Sequence, residues 1–197
     1  MSTAQTAIRI RMRSFLRTLA LLALLCLLPS DYALSESVAE HELKAVFLYN
    51  FANYITWPES ALKNKDSPFN YCLLGRSRIN DSLNAAINNE TIKGRKLRLL
   101  EFQQPTQLSQ CHIIFIHQQD GGYPPDIIKQ LAAESILTVG QDTNFILTGG
   151  AISLLQKARK IDLVINMDTI EVGRLKVSSK LLRLVKRIRP SSEVSEK

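Results

Sequence analysis

The sequence predicts an α/β domain with a mostly parallel central sheet flanked by helices. Three observations lead there. Short apolar runs of strand length, FNYCLL at 69–74, CHIIFI at 111–116 and SILTV at 135–139, are bounded by glycines or polar loops. Between them lie segments with apolar residues at helical spacing, Ile79, Leu83, Ala86 and Ile87, then Ile127 to Ala133. Strands alternating with helices imply crossover connections and parallel pairing. The expected architecture is a single Rossmann-like domain that ends in a β-hairpin and a helix.

The first segment reads as a leader. Arg9, Arg11, Arg13 and Arg17 form a basic start, Leu19 to Pro29 an apolar centre, and Ala33-Leu34-Ser35 a small-residue cleavage site. The apolar run is shorter than the roughly 20 residues a spanning helix needs. A cleaved signal peptide over 1–35 is therefore expected, and export across the inner membrane with it. Loss of the leader's charged groups leaves 21 basic and 17 acidic side chains, a net of about +4 rather than +7. Much of that excess lies between Arg174 and Arg189. In an exported protein this describes a solvated basic face and gives no argument for nucleic acid.

Taken in order, Leu43 to Pro58 (LKAVFLYNFANYITWP) predicts an amphipathic helix stopped at Trp57-Pro58. Its expected core face is Leu43, Val46, Phe47, Phe51, Tyr54 and Ile55. A strand follows at 69–74, then a helix from Ile79 with Asn80 or Asp81 as cap, and a second strand over 96–102. The run at 111–116 suits a central strand buried on both faces. Gly121-Gly122-Tyr123-Pro124-Pro125 is a loop, and Pro125 suits the first turn of the next helix. The strand at 135–139 leads into an irregular apolar stretch containing Phe145, Ile146 and Leu147. Residues 151–155 and 161–167 form a hairpin, 168–188 a closing helix, and 190–197 a disordered tail.

Cys72 and Cys111 remain once Cys26 leaves with the leader. In an oxidising compartment an even pair favours a disulfide over two separate thiols. A flavodoxin-like strand order would place 69–74 beside 111–116 and bring the two cysteines within the Cα distance of about 7 Å that a bond requires.

Catalytic chemistry is sparse. The turn after the first strand, Gly75-Arg76-Ser77-Arg78, is not a dinucleotide fingerprint, although Arg76 and Arg78 could hold an anion at the following helix. His112 and His117 are five apart on one strand and face opposite ways, so they cannot chelate together; His112 reads as a core histidine. Ser178-Ser179-Lys180 reads as a helix cap, not a dyad. No nucleophile, base and oxyanion hole assemble, and no metal or cofactor is implied. The expectation is a binding protein, not an enzyme.

Several stretches in order, LKAVFLYNFANYITWP, YCLLG, GRKL at 94–97, CHIIFI, SILTVG, GGAISLL at 149–155, IDLVINMD and LKVSSKLLRLV, resemble the YfiR family of secreted bacterial proteins. The resemblance covers roughly 43–185. It implies a periplasmic repressor that binds the periplasmic sensory region of an inner-membrane diguanylate cyclase and limits cyclic di-GMP synthesis and biofilm formation. An outer-membrane lipoprotein that sequesters the repressor, and a homodimer, are further partners the resemblance implies. A second cysteine pair carried by some members is missing here. Phe145, Ile146 and Leu147 are the expected partner contacts, with Arg174 and Lys176 as a charged rim. Other function classes consistent with the residues are a small-ligand domain with its pocket at the carboxyl ends of the strands, and a basic envelope-polymer binder.

Overall fold

An eight-stranded sheet carries the body of the chain, which forms one unit from Ser37 onward. The computed structural model describes residues 32–190 apart from 63, 65, 118–123 and 159, and for 32–39 the backbone alone. The expected leader and tail fall almost wholly outside the described residues, as does Gly121-Gly122-Tyr123.

Helix α1 (Tyr32–Tyr54) passes directly into a two-residue strand, β1 (Ile55–Thr56). The helix begins earlier and ends earlier than the sequence predicts, and its buried stripe is rotated. Ala45, Leu48, Phe51, Ala52 and Ile55 face the core, whereas Val46 is 51% exposed. Aromatic bulk drew the expected face towards Val46 and Phe47; the sheet selects the smaller side chains that let the helix approach closely.

Strand β2 (Phe69–Leu74) is buried at every position, as a central parallel strand should be. Helix α2 (Ile79–Ile87) follows, with Ile79, Leu83 and Ile87 buried as their spacing predicts, and with Arg78, not Asn80 or Asp81, at its N-cap. Next come β3 (Thr91–Ile92), β4 (Arg95–Phe102), β5 (Ile113–Ile116), α3 (Pro125–Ala133), β6 (Leu137–Gly140) and α4 (Thr143–Leu147). Pro125 occupies the first turn of α3. The hairpin is β7 (Ile152–Lys157) and β8 (Lys160–Asn166).

The strand order is β10-β8-β7-β6-β5-β2-β4-β3, where β10 is Lys186–Ile188. Within it, β4-β2-β5-β6-β7 are parallel neighbours in the flavodoxin-like arrangement. The expected fold class holds. Alternation along β2 divides the core in two. Phe69, Tyr71 and Leu73 pack with α1 and α2; Cys72 and Leu74 pack with α3 and Phe145 of α4. Cys72 and Cys111 form a disulfide with Cα atoms 5.8 Å apart, in agreement with the strand order that puts β2 beside β5.

The closing helix expected over 168–188 is replaced by four short elements: α5 (Met167–Val172), β9 (Lys176–Val177), α6 (Ser179–Leu182) and β10. The break comes at Arg174, which adopts a left-handed φ of 52°; Gly173 before it keeps a right-handed helical backbone and packs so near Ala132 that a β-carbon would stand 3.1 Å from the Ala132 carbonyl oxygen. Ser178 then caps α6 by accepting from the Leu181 N–H, the capping role its sequence suggests. Strand β9 pairs with β1, fastening the end of the chain to the end of α1.

Candidate functional site

Four large apolar side chains stand exposed among the described residues: Val46, Leu147, Val172 and Leu184. Two of them, Leu147 at 66% and Leu184 at 72%, line one groove of about 580 Å³. Scattered exposed apolar residues are ordinary, but two converging on one concave surface from positions 37 apart point to a contact site.

The strand register builds the groove. Leu155 and Lys157 of β7 alternate onto one sheet face with Asp162 and Val164 of β8, and Lys186 pairs opposite Val164. Helix α4 packs against β7 and β8, and Leu147 at its end borders the groove, which runs on to β10. Leu147, Leu155, Val164, Leu184 and Ile188 supply apolar lining together with Ile146, Ile161 and Leu163. Lys157, Lys186 and Arg187 stand around it with a single carboxylate, Asp162, which pairs with Lys157 at 2.7 Å. The lining therefore carries a net of two positive charges. Strand β10 is the last in the sheet order, and charged residues on such an edge discourage unspecific strand addition.

Of the three adjacent residues expected to contact a partner, Ile146 and Leu147 line the groove, and only Leu147 is exposed. Phe145 and Ile146 are 0% and 2% exposed, on a short helix capped by Asp142, whose carboxylate accepts from the Phe145 N–H at 2.9 Å. The stretch is aperiodic because a five-residue helix is too short to display a period, so its apolar residues looked unexplained by packing. Leu147, at the end of that helix, points out. Arg174 and Lys176 are exposed but lie on the turn and strand that join α5 to β1, outside the groove. Arg76 and Arg78 are exposed after β2, also outside it. The sequence reading missed Leu184, Leu155, Val164 and Ile188. Leu184 is hidden when the C-terminal stretch is read as one helix, because three residues from Leu181 and four from Ile188 it counts as one more core-facing position.

His112, expected as a core histidine, is half-buried beside the core and hydrogen-bonded there. Its Nδ1 accepts from the Asn70 N–H at 3.0 Å and its ring stacks on Phe69 at 4.5 Å. Burial, and next the Arg95 charge, hold its pKa below the usual histidine value. Among the described residues no group of three His, Cys, Asp or Glu side chains is placed to hold a metal ion. No helix among them is long and apolar enough to cross a membrane.

No curated protein matches this chain. Among solved structures, one described as the crystal structure of the ABC domain in complex with L-Trp from Streptococcus pneumonia is similar at a TM-score of 0.40 and 9% identity. That similarity covers 61% of this chain and 54% of that one, and carries no argument about ligand or activity. The sequence profile of the YfiR/HmsC-like family, regulators rather than catalysts, matches residues 41–186, so it takes in α1 from His41, strands β1 to β9 and the groove lining apart from Arg187 and Ile188. The chain belongs to the YfiR/HmsC-like family.

Proposed function

We propose that this protein is a periplasmic repressor that binds the periplasmic sensory region of an inner-membrane diguanylate cyclase and holds the enzyme inactive. Family membership supports a role in diguanylate cyclase signalling. The observation that carries the contact is the groove in which Leu147 and Leu184 stand exposed inside a basic rim. An apolar centre with a charged rim is the anatomy of a specific protein interface.

The mechanism is a population shift. The repressor binds the inactive arrangement of the cyclase more tightly than the active one. About 5.5 kcal/mol of differential affinity moves such an equilibrium from 1:99 to 99:1. Release from the cyclase, for example by sequestration on an outer-membrane lipoprotein, restores synthesis of cyclic di-GMP.

The test is cyclic di-GMP in cells lacking the gene, complemented either with the exported protein or with a version denied export. A rise on deletion that only the exported protein reverses supports the reading. An unchanged level, under conditions where the protein is made, removes it.

A further inference from the structure

A lysine on the core-facing stripe of a helix calls for an explanation. Lys44 lies on the same stripe of α1 as Leu48, Phe51 and Ile55, and is only 5% exposed. Its ammonium donates to Glu40 Oε1, one turn earlier, and to Gln141 Oε1 at 3.2 Å. Gln141 directly follows β6, and its Nε2 lies 3.3 Å from Nδ1 of His117, which directly follows β5. His41, on α1, completes the cluster. Burial lowers its pKa, Glu40 opposes that shift, and Lys44, Arg78 and His117 add to it, so the charges of Glu40, Lys44 and Arg78 and the titratable His117 lie within electrostatic reach of one imidazole. Arg78 begins α2 and makes no side-chain cap bond there.

The place matters as much as the residues. From β2 the chain crosses through α2 to β4 on one side; from β5 it crosses through α3 to β6 on the other. The two helices pack in opposite halves of the core. The carboxyl ends of β2 and β5 therefore flank the topological switch point of the sheet, where open α/β folds leave a crevice for ligands. If α1 needed only to be fastened to the sheet, an apolar side chain at 44 would do so without desolvating a charge. Instead α1 brings an ammonium to this end of the strands, in contact with the Gln141 amide and with His117 next beyond it, while Arg78 and His41 lie within electrostatic range of each other.

We propose that the Lys44–Arg78–Gln141 cluster at the switch point binds a small anion, the phosphate or carboxylate group of a metabolite, which competes with Glu40 for the Lys44 ammonium. Lys44 supplies a buried point charge, Arg78 a planar fork of donors, and Gln141 an amide N–H. Glu40 neutralises Lys44 while the site is empty and opposes an anion. His41 and His117 both have pKa values held below the ordinary histidine value, burial being the first cause in each. They are neutral at pH 7, and an arriving negative charge raises their affinity for protons. The site shares no residue with the Leu147–Leu184 groove, so it does not depend on the cyclase reading.

The chain has three histidines, two in this cluster and His112 elsewhere, so imidazole resonances report binding and locate it together. The purified protein is titrated with inorganic phosphate and, separately, with acetate, chloride keeping the ionic strength constant because screening alone moves exposed charges. The expected result is a saturable shift of the His41 and His117 resonances, with raised apparent pKa values, while His112 stays still. Saturation by phosphate alone assigns a phosphate ligand; by acetate alone, a carboxylate. Arg78→Gln removes an exposed side chain outside the core and weakens binding about tenfold, as loss of one charge-assisted contact should. Glu40→Gln tightens it, by freeing Lys44. No saturable response from either anion overturns the proposal, as does binding that is unchanged in Arg78→Gln.

Discussion

The Phe145 ring lies against the backbone of Gly150, so closely that a β-carbon on the glycine would stand 2.1 Å from the ring. Gly140 approaches the same ring from the end of β6, where a β-carbon would stand 2.3 Å away. The two glycines seat α4 on the sheet, and the seat turns Leu147 outward. Gly150→Ala forces Phe145 from its place and costs about 1–3 kcal/mol, the usual effect of overpacking a core. Chemical denaturation measures it. A midpoint equal to that of the parent protein would show that the ring has room to move.

Phe145 and Leu147 are two residues apart and should respond oppositely to truncation. Phe145→Ala empties a fully buried site and loses about 3–5 kcal/mol of stability. Leu147→Asp and Leu184→Asp leave the unfolding midpoint close to the parent value, since both side chains are exposed. In cells they raise cyclic di-GMP towards the level of the deletion strain, because losing a central contact weakens an interface by about 2 kcal/mol or more. Wild-type repression by both Asp variants, at equal protein level, would place the contact elsewhere.

The Cys72–Cys111 bond closes a separation of 39 residues and ties β2 to the loop before β5. Cys72→Ser with Cys111→Ser lowers stability by about 2–4 kcal/mol. Reduction of the parent protein lowers its denaturation midpoint to a similar degree, and the double variant no longer responds to reductant. A reductant-induced shift that persists in the double variant would contradict the pairing.

The acid limb of stability carries a histidine signature. His112 has a folded-state pKa lowered from 6.5 by burial, then by Arg95. Between that lowered value and 6.5 the unfolded chain binds more protons than the folded one, so stability rises with pH there. The contribution is complete above the unfolded pKa and is lost as pH falls below it. His41 and His117 act in the same direction. Stability measured from pH 7 down to 5 should therefore fall, and His112→Phe should flatten part of that slope. An unchanged slope would assign the dependence to the other two histidines.

Much of the scaffold is a property of the sequence alone. FNYCLL and CHIIFI are apolar without interruption, which only a strand covered on both faces tolerates, and the segments from Ile79 and Ile127 carry the helical period of elements that cover such strands. From these the α/β class followed, and a flavodoxin-like order, once assumed, put Cys72 near Cys111. These are local patterns repeated over enough residues to be read without the partner element. The contact groove and the polar cluster are different in kind. Leu147 is exposed because Phe145 fits between two glycines, and Leu184 joins it because the C-terminal stretch breaks at Arg174 and turns back as β10 beside β8. Lys44 meets Gln141 across 97 residues because α1, packed on the sheet face, brings that turn to the carboxyl end of β6. No periodicity encodes such meetings. They depend on which face of α1 the sheet accepts and on where a short helix stops, and close packing between distant segments decides both.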